Sequence, residues 1–304
     1  MNTSFRQLRL FLALAEKGSV SAAAQACHVT QPTASMQLRE LADAVGLPLH
    51  EVIGRKVFLT PAGEELARTA RAMADEWEAF EQRMAAMKGL TRGRLRVAVV
   101  STAKYFVPRL LGGFCASHPE IDISLEVLNR DGVLARLREN LDDLSIMSIP
   151  PGDLDIECHE FLDNPLVLVA PARHPLVSEK GLQLGDLASE RFILREAGSG
   201  TRQAGDAHFR ACGFQPRVRL ELGSNEAIKQ AVAGGMGLSL LSRHALGQAD
   251  ESLLAELDVA GFPLPAHWYI VYPRGKRLSP IASVFLQHLK AAADQPSEPV
   301  PPRK

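Results

Sequence analysis

With 304 residues, 46% of them apolar and 23% charged, the chain exceeds one ordinary hydrophobic core and has the composition of a globular protein of two or three compact units. A formal net charge of −1 excludes a strongly basic nucleic-acid coat, and no apolar run reaches the roughly 18–20 residues of a membrane-spanning helix. The opening Met1–Arg6 has no basic segment running into a continuous apolar stretch, so a cytoplasmic location is expected. The four dispersed cysteines, without a C-x-x-C pair, read as free thiols, with a redox sensor as the minor reading.

Residues 1–62 hold six Lys or Arg against four Asp or Glu, an excess that fits any solvated surface. Their pattern is more specific. Leu8, Phe11, Leu12 and Ala15 recur at helical spacing and predict a helix stopped by Gly18. Ser19 can cap a second, short helix through the small residues Ala22-Ala23-Ala24-Gln25-Ala26. After a break at His28-Val29, Thr30 suits the N-cap of a third helix, with Pro32 in its first turn, where a missing N–H costs nothing. Val45-Gly46-Leu47-Pro48 stops it, and Val52–Thr60 predicts a β-hairpin with Arg55 and Lys56 at its tip. A short helix, a tight turn and a longer helix with a polar start make a helix-turn-helix, whose second helix enters the major groove of duplex DNA. Thr30, Gln31, Pro32, Thr33, Ser35 and Gln37 form its leading face. Gln can pair bidentately with adenine, and Thr or Ser suits phosphate. Arg39, Arg55 and Lys56 add phosphate or minor-groove contacts. For any one residue the plainer reading, a cap or a surface cover, stays open.

Next comes a helix over 63–90. Leu66, Ala70, Met73, Trp77, Phe80, Met84 and Met87 recur at alternating spacings of four and three with no internal Gly or Pro. So narrow a seam is expected to pair with a second copy, the alternative being a helix resting on its own domain's core. Beyond the Thr91-Arg92-Gly93 hinge, strand patterns (Leu95–Val100, Ile121–Leu128, Leu144–Met147, Leu166–Ala170, Phe192–Arg195, Val218–Leu222, Leu238–Leu241, Trp268–Tyr272) alternate with helical ones (Val107–Ser117, Val133–Asn140, Arg202–Cys212, Glu226–Ala233, Ile281–Ala292). This predicts parallel α/β sheets in two lobes, 91–163 with 268–293 and 164–267. A proline-rich tail over 294–304 is expected to be disordered.

Several loops at strand ends look adapted to an anion. Ser101-Thr102-Ala103-Lys104-Tyr105 follows the first α/β strand and offers hydroxyls, a helix start and an ammonium, all expected to point outward. In Glu196-Ala197-Gly198-Ser199-Gly200-Thr201-Arg202, Gly200 lets backbone approach a ligand, Thr201 can donate, and Arg202 can fork onto a carboxylate or phosphate. Asn225 and Glu226 open a further helix, and Met147-Ser148 ends another strand. A lone Gly-Ser-Gly turn is as often structural; several such loops together favour one ligand cleft between lobes.

Phe5-Arg6-Gln7-Leu8-Arg9-Leu10-Phe11, Ser21-Ala22-Ala23-Ala24, Thr30-Gln31-Pro32-Thr33-Ala34-Ser35-Met36-Gln37-Leu38 and Leu59-Thr60-Pro61-Ala62-Gly63 resemble the N-terminal signature of LysR-type transcriptional regulators. The resemblance covers nearly the whole chain. It implies a winged helix-turn-helix, a long linker and dimerisation helix, and a two-lobed α/β effector domain like a periplasmic binding protein. One departure is His50-Glu51-Val52, where the family usually has an aromatic and then Glu-Arg. Val100–Phe106, Leu194–Arg202, Gly223–Val232 and Arg274–Pro280 are similar to the subgroup controlling carbon-fixation (RuBisCO) operons and to inorganic-carbon transport regulators. That subgroup senses phosphorylated or nucleotide metabolites, and in the family Ser101, Thr102 and Thr201 fall where the effector's acidic group binds. Met147-Ser148-Ile149-Pro150-Pro151 departs from the Gly or Arg that more often follows the Met.

The resulting expectation is a DNA-binding regulator with no cofactor, controlled by a small anion: a sugar phosphate, phosphoenolpyruvate, a nucleotide or a carboxylate. Its partners are double-stranded operator DNA, a second copy in a homodimer or homotetramer, and RNA polymerase, with no membrane. An unrelated operon with a carboxylate or redox signal is the alternative. An enzyme is disfavoured by the lack of any nucleophile, metal or dinucleotide motif; Gly234-Gly235-Met236-Gly237 follows a helix rather than a strand. A transport-type solute-binding protein lacks the N-terminal helix-turn-helix.

Overall fold

The computed structural model of the chain describes residues 3–53, 56–87, 93–247, 250 and 252–294. By internal contacts the chain divides into two compact units, Met1–Gly89 with Glu139–Leu141, and Leu90–Arg138 with Asp142–Lys304. Among the described residues no helix is long and apolar enough to cross a membrane.

The first unit runs α1 (Phe5–Lys17), α2 (Val20–Ala26), α3 (Gln31–Val45), β1 (His50–Ile53), β2 (Lys56–Leu59) and α4 (Pro61–Met87). Each early helix begins on a side-chain cap. Ser4 and Gln7 form a reciprocal capping box, Ser19 accepts from the Ala22 amide, and Thr30 accepts from the Thr33 amide. Phe11, Leu14, Leu38 and Leu41 meet over Ala23, Ala24 and Ala34, whose small side chains let α2 and α3 approach closely. Burying each of the large side chains stabilises by about 1.5–3 kcal/mol. β1 and β2 pair antiparallel, His50 opposite Leu59.

The Leu-Thr-Pro-Ala-Gly motif fastens α4 to this hairpin. The Thr60 hydroxyl donates to the Pro48 carbonyl at 2.6 Å and accepts from the Gly63 amide at 3.1 Å. A Cβ on Gly63 would lie 1.9 Å from the Leu49 carbonyl oxygen, so only glycine permits the contact. The seam of α4 divides in two. Leu66 and Ala70 pack into their own domain's core, which corrects the expectation that they face a second copy. Met73, Trp77, Phe80 and Met84 stand exposed, Trp77 at 52%.

The second unit continues with β3 (Gly93–Val100), α5 (Val107–Ser117), β4 (Ile121–Leu128), α6 (Arg130–Arg138), β5 (Leu144–Met147), β6 (Ile156–Asp163), β7 (Leu166–Pro171), β8 (Arg191–Arg195), α7 (Gly200–Ala211), β9 (Arg217–Leu222), α8 (Asn225–Ala233), β10 (Ser239–Ser242), β11 (Leu254–Glu256), β12 (His267–Pro273) and α9 (Pro280–Asp294). A five-stranded sheet in the order β4-β3-β5-β12-β6 forms lobe I around Trp268, Phe114 and Phe285. Lobe II holds β10-β7-β11 and the pair β8-β9. The chain passes between lobes twice, and the two crossings are hydrogen-bonded: the Asn164 amide donates to Ala266 at 2.7 Å and that of Leu166 to Leu264 at 3.0 Å.

The sheets are mixed rather than parallel. β3 is parallel to β4 and β5, but β12, returning from lobe II, enters antiparallel between β5 and β6. β10 and β11 flank β7 antiparallel. No sequence signal marks β6, an edge strand whose acidic residues fall at every third position (Glu157, Glu160, Asp163), or the three-residue β11. Helix α6 starts three residues before the predicted one and stops at Arg138; Asn140 adopts φ 52°, which no helix continues. The predicted tail, beyond Asp294, lies outside the described residues.

Candidate nucleic-acid interface and effector cleft

Three backbone bonds tighten the turn between α2 and α3: Cys27 to Ala23, His28 to Gln25 and Val29 to Ala24. His28 takes a left-handed conformation at φ 54°. Thr30 then caps α3, its Oγ1 lying 2.8 Å from that of Thr33. With Ala34, Leu38 and Leu41 buried, Gln31, Pro32, Ser35 and Arg39 fall on one exposed face beside Thr30. Gln37 does not join that face: it is half-buried and its Oε1 is enclosed. Lys56 is exposed at the start of β2. Arg55, the other predicted tip cation, lies outside the described residues. Val52, Ile53 and Phe58 are exposed apolar residues of the same hairpin.

The second unit gathers its polar side chains where strands of both lobes end. Arg195, at the end of β8, is only 2% exposed. Its guanidinium forks onto both oxygens of Glu196 at 2.8 Å, donates to Asn225 Oδ1 at 2.7 Å and reaches Ser101 Oγ of lobe I at 3.1 Å. Arg195 falls in the Leu194–Arg202 stretch of the resemblance but has no role assigned from sequence, because a charged residue at the end of an apolar strand reads as surface. Burial of its charge across the lobes is a tertiary fact.

Ser148 and Thr201 are buried at the ends of their elements, as is Ser199, the N-cap of α7. A Cβ on Gly200 would meet Ser148 Oγ at 2.4 Å; glycine is what lets the start of α7 approach lobe I. Thr201 and Arg195 line one small cavity with Leu194, Gly205 and Phe209. Asn225, the first residue of α8, is 2% exposed, and its Nδ2 is enclosed without an acceptor in hydrogen-bonding geometry. Lys104 Nζ and the Tyr105 hydroxyl of lobe I both contact Glu226 of lobe II, at 2.7 and 2.5 Å.

Three predicted residues lie differently from expectation. Thr102 does not point outward: it is buried, and its Oγ1 accepts from Trp268 Nε1 at 3.2 Å. Met147 is fully buried in the lobe I core because β5 is the central strand. Arg202 forks within lobe II, onto Asp206 at 2.9 Å, Glu221 at 2.8 Å and the Arg195 carbonyl at 2.7 Å, so its guanidinium is occupied.

These contacts set the charge states. Burial opposes ionisation of Glu226, but hydrogen bonds from Lys104 and Tyr105 outweigh it and lower its pKa to about 2. Burial first, and then the bond to Glu226, push the Tyr105 phenol up. Glu196 is lowered against its own burial by the Arg195 fork. The cleft thus holds anionic carboxylates matched to cations, with buried hydroxyls between them.

Two family models match the chain: the lysR-family bacterial regulatory helix-turn-helix protein over residues 5–64 and the LysR substrate binding domain over residues 88–294. The RuBisCO operon transcriptional regulator of Acidithiobacillus ferrooxidans is 46% identical over 305 residues, covering 99% of both chains. Among solved structures, the CcmR regulatory domain of Synechocystis PCC6803 in complex with 2-PG is 48% identical, with a TM-score of 0.64 over 66% of this chain and 98% of that one. Full-length CbnR complexed with its target DNA is 25% identical, with a TM-score of 0.66 over 96% of this chain and all (100%) of that one. Helix-turn-helix, mixed two-lobed domain and these likenesses agree: the chain belongs to the LysR family of transcriptional regulators.

Proposed function

We propose that this regulator binds operator DNA through the exposed α3 face (Thr30, Gln31, Pro32, Ser35, Arg39) and the hairpin, and controls carbon-metabolism genes in response to a phosphorylated carboxylate held between the lobes. The observation that carries the metabolite half is the buried polar cluster at the facing strand ends. Thr102, Ser148, Ser199 and Thr201 supply hydroxyls, and Arg195 with Asn225 supplies a charge and a buried amide. A bound oxyanion is the group that many converging donors suit. The 2-PG complex of the 48%-identical CcmR domain makes 2-phosphoglycolate the first candidate. The exposed stripe Met73, Trp77, Phe80 and Met84 packs against a second copy, giving a homodimer and, through pairs of dimers, a homotetramer. RNA polymerase is its downstream partner and the cytoplasm its location.

An anion touching both lobes favours one lobe arrangement over the other and so shifts the population of dimer arrangements presented to DNA. Operator bending then changes with that arrangement. Thermal unfolding of the full chain with 2-phosphoglycolate, phosphoenolpyruvate, ribulose bisphosphate, NADPH and simple carboxylates tests the reading, because a ligand of the folded state alone raises the melting temperature. A rise with 2-phosphoglycolate, together with an altered footprint on the intergenic DNA beside the gene, is expected. No shift with any of these anions would remove the metabolite half, and no protected DNA the other.

A further inference from the structure

Glu226 lies in the first turn of α8 in lobe II, yet both its carboxylate oxygens are held by lobe I, through Lys104 Nζ and the Tyr105 hydroxyl. The neighbouring cations are matched as well. Arg195 forks onto Glu196, and Lys229 binds Asp250 at 2.9 Å while its Nζ lies 5.9 Å from the Tyr105 ring centre. At the Lys104 end of this cluster an anion therefore meets cations that carboxylates already occupy. An anion that takes Lys104 must displace a carboxylate.

The three carboxylates differ in how they are held; that of Asp250 is only 16% exposed and also accepts from the Gly247 amide. The Glu196 side chain is 24% exposed and locked in a fork with a buried guanidinium. That of Glu226 is 49% exposed and can swing into water at little desolvation cost. Beside it, the enclosed Asn225 amide also bears on the Tyr105 hydroxyl, which places a donor where a new oxygen would arrive.

We infer that Glu226 is an internal stand-in for the second acidic group of a two-ended anion, which displaces it and takes Lys104, Tyr105 and Asn225 for its own carboxylate. The inference rests on the anion reading of the cleft above and deepens it. One acidic end engages the hydroxyls of Ser148 and Thr201, and the other replaces Glu226. The exchange swaps carboxylate for carboxylate, so charge stays balanced at Lys104. It also removes one tie between the lobes as the ligand forms another, which couples occupancy to lobe arrangement. Ligands with two acidic groups are thereby preferred over inorganic phosphate or a simple carboxylate.

Isothermal titration of the full-length protein with 2-phosphoglycolate and with inorganic phosphate tests this. Glu226→Gln keeps the shape and removes the competing charge, and should bind 2-phosphoglycolate about tenfold more tightly than the unaltered protein. Lys104→Met should weaken 2-phosphoglycolate about tenfold and leave inorganic phosphate unchanged, since only the carboxylate end is lost. Circular dichroism and the unfolding midpoint establish that each variant is folded. A folded Glu226→Gln protein that binds 2-phosphoglycolate equally or more weakly overturns the inference, as does Lys104→Met weakening both ligands alike. If neither anion binds the unaltered protein or Glu226→Gln, the anion reading of the cleft falls and this inference falls with it.

Discussion

The α3 face and the interlobe cleft solve opposite problems. The α3 face draws its side chains from ten consecutive positions, 30–39, and leaves Gln31, Ser35 and Arg39 exposed over a core of alanines and leucines. The cleft draws Ser101, Ser148, Arg195, Thr201 and Glu226 from distant segments and joins several of them to neighbouring side chains of the same cluster. An exposed helix face meets a large polyanion by adding contacts. An enclosed cluster meets a small anion by exchanging them, so its residues have tighter neighbours and its variants should affect stability as well as binding.

Substitutions can separate the two regions, the largest effect coming from the cleft. Replacing Arg195 by Met leaves the Asn225 oxygen and the Glu196 carboxylate without their shared cation, and should cost the effector domain about 3 kcal/mol. Denaturant unfolding would report this; an unchanged midpoint would mean that the Arg195 cluster is not a stabilising centre. In the first unit, Gly63→Ala drives a Cβ into the Leu49 carbonyl and should destabilise by about 2 kcal/mol. DNA protection should weaken with it while metabolite binding to the second unit persists.

Two smaller effects sharpen the contrast. Thr201→Val keeps shape and deletes a buried donor, so the metabolite response should drop by a factor of about ten with operator affinity retained. Equal loss of both activities would show the loop to be structural. Arg39→Met should weaken DNA of every sequence to a similar degree and lower the salt slope by about one, as the loss of one phosphate contact does. Gel-shift titrations at several salt concentrations would decide this, and a change in sequence preference alone would count against it.

Legibility followed the same division. The caps at Ser19 and Thr30, the Gly18 stop and the α3 start were readable because caps and helical period are local properties of adjacent residues. Gln37 was misplaced even so. Its position in the helix was right, but the direction of its amide depends on what packs beside it. In the cleft, the strand-end loops of Ser101, Gly200 and Asn225 are legible from glycines and helix starts, whereas nothing in the sequence singles out Arg195 or shows that Arg202 is taken up by Asp206 and Glu221. Both arginines lie at a strand–helix junction. Which of them turns toward lobe I is decided by Asp206 and Glu221 capturing the other.

What the amino-acid order determined alone was everything governed by short-range periodicity and capping: the helix-turn-helix, the hairpin, the long α4 and the alternation of strand and helix beyond it. Tertiary structure decided sheet direction, because β12 pairs with β5 and β6 across a stretch of more than a hundred residues that forms lobe II. It also decided that Leu66 and Ala70 belong to their own domain while Trp77 and Phe80 stay exposed, since one heptad pattern serves either surface. And it decided the charge pairing of the cleft. Residues 121 and 122 positions apart, such as Tyr105 or Lys104 and Glu226, carry no mutual signal until the fold brings them within hydrogen-bonding distance.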